Sequence, residues 1–303
     1  MREPPAPRAS APRRPLLLLA LLTACPPRPA PVVAHAPTIP TPVATTDTAI
    51  PAPVATTDTA IPAHHSFTLD SRILHETRRI NLYLPPGLDP SARYPVLYMP
   101  DGGLAEDLPH LLRSVDAGIR AGELRPLIVV GIENTERRRD LTGPTDVPDE
   151  RAIAPRVGGA AHIRRFLRAE LIPAIDRRAP TSGEAAIIGE SLAGLFILET
   201  FLLDPDLFTT AIAISPSLFW NHQALVRAAP AALRARPARP TTLYLTHASD
   251  DDDATTTLAA VLRQHAPASL RWTFAPRPDQ HHATIYRAVA PEALRAVFPA
   301  TAP

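Results

Sequence analysis

The stretch IIGESLAGLF, residues 187–196, places one serine, Ser191, between an apolar run that ends on a glycine and a run of small and apolar residues. Residues 185–188 have the length and apolar character of a buried parallel strand. Residues 192–203 carry apolar side chains at helical spacing. The stretch therefore predicts a strand, a tight turn at Ser191 and a helix.

Apolar runs of strand length alternate with segments of helical period along the rest of the chain. This pattern predicts an α/β fold with a mostly parallel central sheet and helices on both faces. No helix separates the first two strands, so they are expected to form an antiparallel hairpin at the sheet edge. The predicted strands are 66–69, 80–84, 96–99, 127–132, 185–188, 210–214, 242–246 and 270–274, and the predicted helices lie near 108–121, 160–177, 192–203, 254–265 and 287–298.

The length and the net charge of the chain limit the classes of function that it can have. The chain has 303 residues, 45% of them hydrophobic, which is enough for a sizeable core. The 31 basic and 30 acidic residues give a formal net charge of +1. Because no strong field would attract a polyanion, we expect no nucleic-acid partner.

The first 25 residues have the features of a secretory signal. Arg13 and Arg14 precede the apolar run 16–22, which is too short to span a bilayer. The run ends in LTAC, which resembles a bacterial lipobox with Cys25 as the lipidated residue. The alternative is cleavage after Ala36, although Pro37 would then be the new N-terminus. We expect a lipid-anchored, extracytoplasmic protein at the periplasm or cell surface.

Residues 26–64 are rich in Pro, Ala, Thr and Val and contain the repeat PVATTDTAIPA at 42–52 and again at 53–63. Such a composition buries too little apolar surface to offset its ordering entropy, so a disordered linker is predicted. Residues 65–303 are predicted to form the folded domain.

The turn at Ser191 has the pattern of a nucleophile elbow, in which small residues two before and two after let strand and helix approach closely. Those residues are Gly189 and Ala193. Ser191 is therefore a candidate nucleophile, and a helix N-cap is the alternative.

A nucleophilic serine needs a base and an orienting carboxylate, in the chain order Ser, acid, His for such folds. Four aspartates, 250–253, follow the strand 242–246, and His281 and His282 follow the strand 270–274. The alternatives are a solvated or helix-capping loop for the aspartates and a wet surface or a metal site for the histidines. No further ligand cluster supports a metal, so none is expected.

With these residues in place, the chain resembles the bacterial esterase family that contains esterase D, the enterochelin esterases and the mycolyltransferases. The resemblance runs from about residue 66 to 298. The matching pieces are LHETRRINLYLPPG (74–87), YPVLYMPDGG (94–103), VVGIENTERRRDLT (129–142), GGAAHIRRFLRAELIPAID (158–176), IIGESLAGL (187–195), ISPSLFW (214–220) and HATIY (282–286).

The resemblance implies an α/β-hydrolase fold with Ser191 as nucleophile and His282 as base, because His282 begins the family's H-[AS]-[ST] segment. It implies Asp250 as the acid, with Asp251 in reserve. The oxyanion hole would use the N–H of Leu192 and one from the loop Asp101-Gly102-Gly103, and Asp101 would also face substrate.

The resemblance also implies roles in binding substrate. Arg139 and Asp140 match an R-D pair that could hold a carboxylate or phenolate, and a structural ion pair is the alternative. Trp220 would form a pocket wall or core. Glu190 stands where the enterochelin group commonly has histidine.

The expected activity is hydrolysis of a small-molecule carboxylic ester through an acyl-enzyme, with no cofactor. One alternative is an acyltransferase that uses the same triad. The other is a tethered, non-catalytic binding module.

Overall fold

The computed structural model describes residues 60–154 and 156–300. Its strands form one eight-stranded sheet in the order β1-β2-β4-β3-β5-β6-β7-β8. The strands are β1 (His65–Ser71), β2 (Glu76–Tyr83), β3 (Tyr94–Pro100), β4 (Ile128–Ile132), β5 (Thr181–Glu190), β6 (Thr210–Ile214), β7 (Thr241–Thr246) and β8 (Leu270–Phe274).

Pairing within the sheet follows the prediction. β1 pairs antiparallel with β2, and β2 pairs antiparallel with β4. Every other neighbouring pair is parallel. All eight predicted strands and the antiparallel edge hairpin are confirmed. Cys25, the first repeat (42–52) and residues 53–59 of the second repeat (53–63) lie outside the described residues, so the signal, the lipid anchor and most of the linker remain predictions.

Helices cover both faces of the sheet, as predicted. Alternate residues of β3 belong to different hydrophobic clusters: Val96 and Tyr98 to one, Leu97 and Met99 to the other. The helices are α1 (Leu108–Arg120), α2 (Arg137–Leu141), α3 (Pro148–Ala152), α4 (Ala160–Phe166), a π-helical segment (Leu167–Leu171), α5 (Ile172–Asp176), α6 (Leu192–Leu203), α7 (Trp220–Arg234), α8 (Ala254–His265) and α9 (His282–Val297).

The helix α7 was not predicted. Near its start Asn221, His222 and Gln223 have left-handed backbone angles, and Pro230 lies inside it. Proline is unfavourable inside a helix, so Pro230 is a sequence signal against a helix at this position. The predicted helix 287–298 also begins earlier, at His282. None of the helices in the described part of the chain is long and apolar enough to cross a membrane.

The tip of the edge hairpin is fastened by a residue far along the chain. Glu170, in the π-helical segment, accepts hydrogen bonds from the hydroxyl of Ser71 and from the backbone N–H groups of Arg72 and Ile73. One carboxylate therefore satisfies three donors at the turn between β1 and β2.

Gly102, two residues after the end of β3, allows the backbone of this loop to approach the backbone of β4 closely. A Cβ added to Gly102 would lie 2.2 Å from the backbone nitrogen of Ile132 and 2.3 Å from Cα of Gly131. Both are main-chain atoms that cannot rotate away, so only glycine fits there.

Gly102→Ala is expected to lower the free energy of unfolding by about 3 kcal/mol, the upper part of the range for forced overpacking. Gly122→Ala is the matched control, because its φ is +69° but nothing lies within 4 Å of an added Cβ. That change should cost only about 1 kcal/mol. Urea denaturation followed by circular dichroism measures both, and equal losses would contradict the steric explanation.

Candidate active site

The predicted strand, turn and helix meet at Ser191, between β5 and α6. Ser191 has φ +58° and ψ −121°, a conformation that is strained for any residue except glycine. A Cβ on Gly189 would lie 2.6 Å from Cβ of Ala193, so the strand and the helix pack too closely for a larger residue. This sharp turn presents Ser191 at the carboxyl edge of the sheet.

A pocket of about 400 Å³ lies at this edge. Loops that follow β5, β6 and β7, together with the start of α9, bring their side chains into it, as expected for the carboxyl ends of parallel strands. Its lining comprises Arg137, Arg138, Ile153, Ser191, Leu192, Ser215, Pro216, Ser217, Phe219, Trp220, Asp250, Asp251, Asp252 and His282. The structure therefore brings Ser191, His282 and both candidate acids to one place.

Asp251 is the carboxylate that contacts the imidazole. Nδ1 of His282 lies 2.8 Å from Oδ1 of Asp251. Asp250 instead accepts a hydrogen bond of 2.7 Å from the backbone N–H of His282. The expectation that Asp250 is the acid beside the imidazole is wrong. The side chains of the two adjacent aspartates point in different directions, and Asp251, the second candidate, faces the ring.

The contact between His282 and Asp251 shifts their pKa values in opposite directions. Burial would raise the pKa of Asp251, but hydrogen bonds from His282 and Ser215 and from the N–H of Ala248 bring this pKa below its ordinary value. The hydrogen bond to Asp251 raises the pKa of His282, although burial opposes it. Since a carboxylate only accepts, Nδ1 carries the proton and Nε2 keeps its lone pair.

Two serines that were not predicted as site residues contact this group. Oγ of Ser191 lies 3.3 Å from Oγ of Ser217. Oγ of Ser215 donates to Oδ2 of Asp251 and lies 3.1 Å from Nδ1 of His282. The only sign of these two serines in the sequence is the SPS within the matching piece 214–220, because contacts between hydroxyl groups produce no periodic pattern.

The predicted oxyanion donors differ in availability. Leu192 is the first residue of α6, so its N–H has no partner within the helix. The N–H of Gly102 donates to the carbonyl of Ile132 over 3.0 Å. The N–H of Gly103 donates to Oε2 of Glu106 over 2.6 Å. The role of Leu192 in an oxyanion hole stays a prediction, and the amides of Gly102 and Gly103, one of which was expected to serve there, are already hydrogen-bonded.

Asp101 holds another side chain. Its two carboxylate oxygens accept from Nε and Nη2 of Arg137 at 2.7 and 2.8 Å. The amide of Asn134 donates to it as well. Asp101 is buried and absent from the pocket wall, so the prediction that it faces substrate is corrected. It positions Arg137, which does line the pocket.

Arg139 and Asp140 form a structural ion network. Nε of Arg139 lies 2.6 Å from Oδ1 of Asp140, whose Oδ2 lies 2.6 Å from Nη2 of the buried Arg78. Glu76 bridges both arginines. Neither Arg139 nor Asp140 lines the pocket of Ser191. The structural alternative therefore holds, and the preceding arginines, Arg137 and Arg138, face the pocket instead.

Trp220 is both pocket wall and core. It is 4% exposed, and its indole N–H donates to the carbonyl of Gly143 over 2.9 Å. Phe219 and Ile153 line the same pocket and remain about half exposed, at 46% and 49%. The pocket mouth thus combines apolar side chains with the guanidinium groups of Arg137 and Arg138.

Glu190, the last residue of β5, is a second carboxylate near the imidazole. Burial raises its pKa to about 7, while the charges of His282 and Arg137 oppose the rise and those of Asp107 and Asp101 add to it. In return, its negative charge raises the pKa of His282.

Glu190→Gln is expected to lower the pKa of His282, because the ring loses a nearby negative charge while its bond to Asp251 is kept. An NMR titration of the His282 ring measures this shift. Glu292→Gln is the control. Glu292 lies on α9, the helix that begins at His282, but about 15 Å farther along its axis. A His282 pKa that is unchanged or raised in Glu190→Gln would contradict the interpretation.

Comparisons with known proteins identify the family of the chain. The family model named Esterase matches residues 71–290. The ferri-bacillibactin esterase BesA of Bacillus subtilis is 33% identical over 174 residues, which is 52% of this chain and 60% of that protein. The chain thus spans less than two thirds of this curated relative.

Solved structures share the fold. An IroE-like serine hydrolase from Shewanella oneidensis aligns with a TM-score of 0.70 and 24% identity, over 78% of this chain and 80% of that one. The siderophore hydrolase EstB from Aspergillus nidulans aligns with a TM-score of 0.66 and 20% identity, over 80% and 96%. The fold is that of the α/β-hydrolases, and with the family match over most of its length the chain belongs to the Esterase family.

Proposed function

We propose that this protein is a serine hydrolase that cleaves a small-molecule carboxylic ester through an acyl-enzyme. One observation carries the proposal: Ser191, held in a strained turn, shares a pocket with His282, whose Nδ1 is bound to Asp251. A binding module would not require that arrangement.

In the first step, Nε2 of His282 takes the hydroxyl proton of Ser191 as Oγ attacks the ester carbonyl. The carbonyl π electrons move to oxygen, and the N–H of Leu192 at the start of α6 stabilises the resulting charge. Asp251 stays ionised and stabilises the imidazolium. The bond to the alcohol oxygen then breaks, and His282 returns the proton to that leaving group.

In the second step, water gives a proton to Nε2 and attacks the acyl carbonyl. The tetrahedral intermediate collapses, Ser191 recovers its proton from His282, and the carboxylic acid leaves. An alcohol in place of water would give acyl transfer by the same residues. The described residues carry this chemistry without a cofactor.

For the substrate we propose a siderophore-type ester with an anionic or aromatic part. Several named relatives and structural neighbours are esterases or hydrolases of siderophores. The pocket mouth supports this choice, because Arg137 and Arg138 offer positive charge beside Phe219 and Ile153. Guanidinium groups suit carboxylate and phenolate oxygens, and the apolar side chains suit a ring.

Ser191→Ala and His282→Ala should each lower kcat for p-nitrophenyl butyrate by at least about 10³-fold, as losses in other triads do. Asp251→Asn should lower it by at least about 10²-fold, and Asp250→Asn should cost less, because only Asp251 contacts the ring. Circular dichroism checks folding. A wild-type protein that neither turns over esters nor reacts with a fluorophosphonate would refute the proposal.

Arg138→Ala should raise KM for a carboxylate-bearing aryl ester by roughly fivefold, the contribution of an exposed ion pair. KM for neutral p-nitrophenyl acetate should stay the same, since no charge is recognised there. Arg79→Ala is the control, because Arg79 is similarly exposed but lies outside the pocket lining. Equal changes for both substrates would exclude charge recognition by Arg138.

A further inference from the structure

Ser215 touches two members of the catalytic group, yet the mechanism above gives it no part. It follows β6 directly and is 1% exposed. Its hydroxyl is hydrogen-bonded to Oδ2 of Asp251 and lies 3.1 Å from Nδ1 of His282. These two contacts are the hydrogen bonds that the structure gives to this hydroxyl.

The direction of these hydrogen bonds follows from the chemistry of the partners. An ionised Asp251 only accepts, so the hydroxyl of Ser215 donates to Oδ2. Its lone pairs then face Nδ1 of His282, whose proton lies between Oδ1 of Asp251 at 2.8 Å and Oγ of Ser215 at 3.1 Å. Carboxylate, imidazole and hydroxyl form a closed triangle in which every proton has an acceptor.

The backbone around Ser215 is tied to the elements that carry the catalytic group. The N–H of Ser215 donates to the carbonyl of Thr246 at the end of β7, over 2.9 Å. Two residues on, the N–H of Ser217 donates to the carbonyl of Ser191 over 3.1 Å. The segment therefore links the loop of Asp251 to the turn of the nucleophile.

Ser215 also has a strained backbone, with φ +47°. A left-handed angle at a residue other than glycine costs free energy and persists only where the surroundings fix it. A glycine would relieve this strain but would lack the hydroxymethyl group, and the hydroxyl is the part of that group with hydrogen-bond partners here.

We propose that Ser215 is a positioning residue. Its hydroxyl fixes the carboxylate of Asp251 so that Oδ1 faces Nδ1 of His282, and this in turn holds Nε2 toward Ser191. Without the hydroxyl, the only other donor in contact with Oδ2 of Asp251 among the described residues is the N–H of Ala248. The inference rests on the proposed ester hydrolysis. During the reaction Ser215 keeps its own proton.

Ser215→Ala is expected to lower kcat for p-nitrophenyl butyrate by about 10- to 100-fold, the value of a hydrogen bond to a charged group. KM should change by less than about twofold, because Ser215 acts through Asp251 and not on the substrate. The low-field proton NMR signal of Nδ1–H, recorded at a pH where His282 is protonated, should move upfield and broaden.

Ser71→Ala is the matched control. Ser71 is also buried, and its hydroxyl also donates to a carboxylate, that of Glu170, but it lies outside the pocket lining. It should lose stability and keep its kcat. Ser215→Gly removes the hydroxyl and relieves the strained backbone, so it should be as slow as Ser215→Ala even if it is more stable.

Three results would overturn the inference: a wild-type kcat in Ser215→Ala, an unchanged low-field signal, or recovery of kcat in Ser215→Gly. Failure of the proposed function would look different. In that case the wild-type protein itself would be inert to esters and fluorophosphonate, while the low-field signal, which needs no turnover, would still report whether Ser215 orders His282 and Asp251.

Discussion

The close approach of β5 and α6 is the constraint on which the rest of the site depends. Gly189 leaves no room for a side chain against Ala193, so the chain must turn within one residue, and Ser191 takes a left-handed backbone angle. Its N–H donates to the carbonyl of Ile214, which fixes the turn to the neighbouring strand. The position of the nucleophile is therefore set by the sheet, and every other group is placed relative to it.

The electrostatics of the site depend on two carboxylates in different surroundings. Asp251 accepts several hydrogen bonds and stays ionised beside the imidazole. Glu190 is partly buried, and this burial raises its pKa to about 7. Both raise the pKa of His282, one by direct contact and the other through its charge. The imidazole of His282 therefore has one neighbour, Asp251, that stays negatively charged, and a second, Glu190, whose charge depends on pH.

Sequence reasoning succeeded where a pattern repeats or a motif is short. The strands were visible as apolar runs, and Ser191 as a serine between small residues. It failed where the outcome depends on side-chain direction within a loop: Asp250 and Asp251 are chemically identical, and only the loop geometry turns one toward the ring. Likewise, the sequence does not show that Asp101 binds the guanidinium of Arg137. Nor does it show that the N–H of Gly102 donates to Ile132 and the N–H of Gly103 to Glu106. The helix α7 was missed for another reason: its start has three residues with left-handed backbone angles, and Pro230 lies inside it.

The link between Glu170 and the edge hairpin has a consequence for how the protein is made. The hairpin of β1 and β2 is local and can pair as soon as it is synthesised, but the donors at its tip are satisfied only when residue 170, almost 100 residues later, has folded against them. Contacts of such separation form slowly and late. In a nascent chain these donors at the hairpin tip would therefore lack their acceptor until the helical segment after β4 has left the ribosome and folded against them.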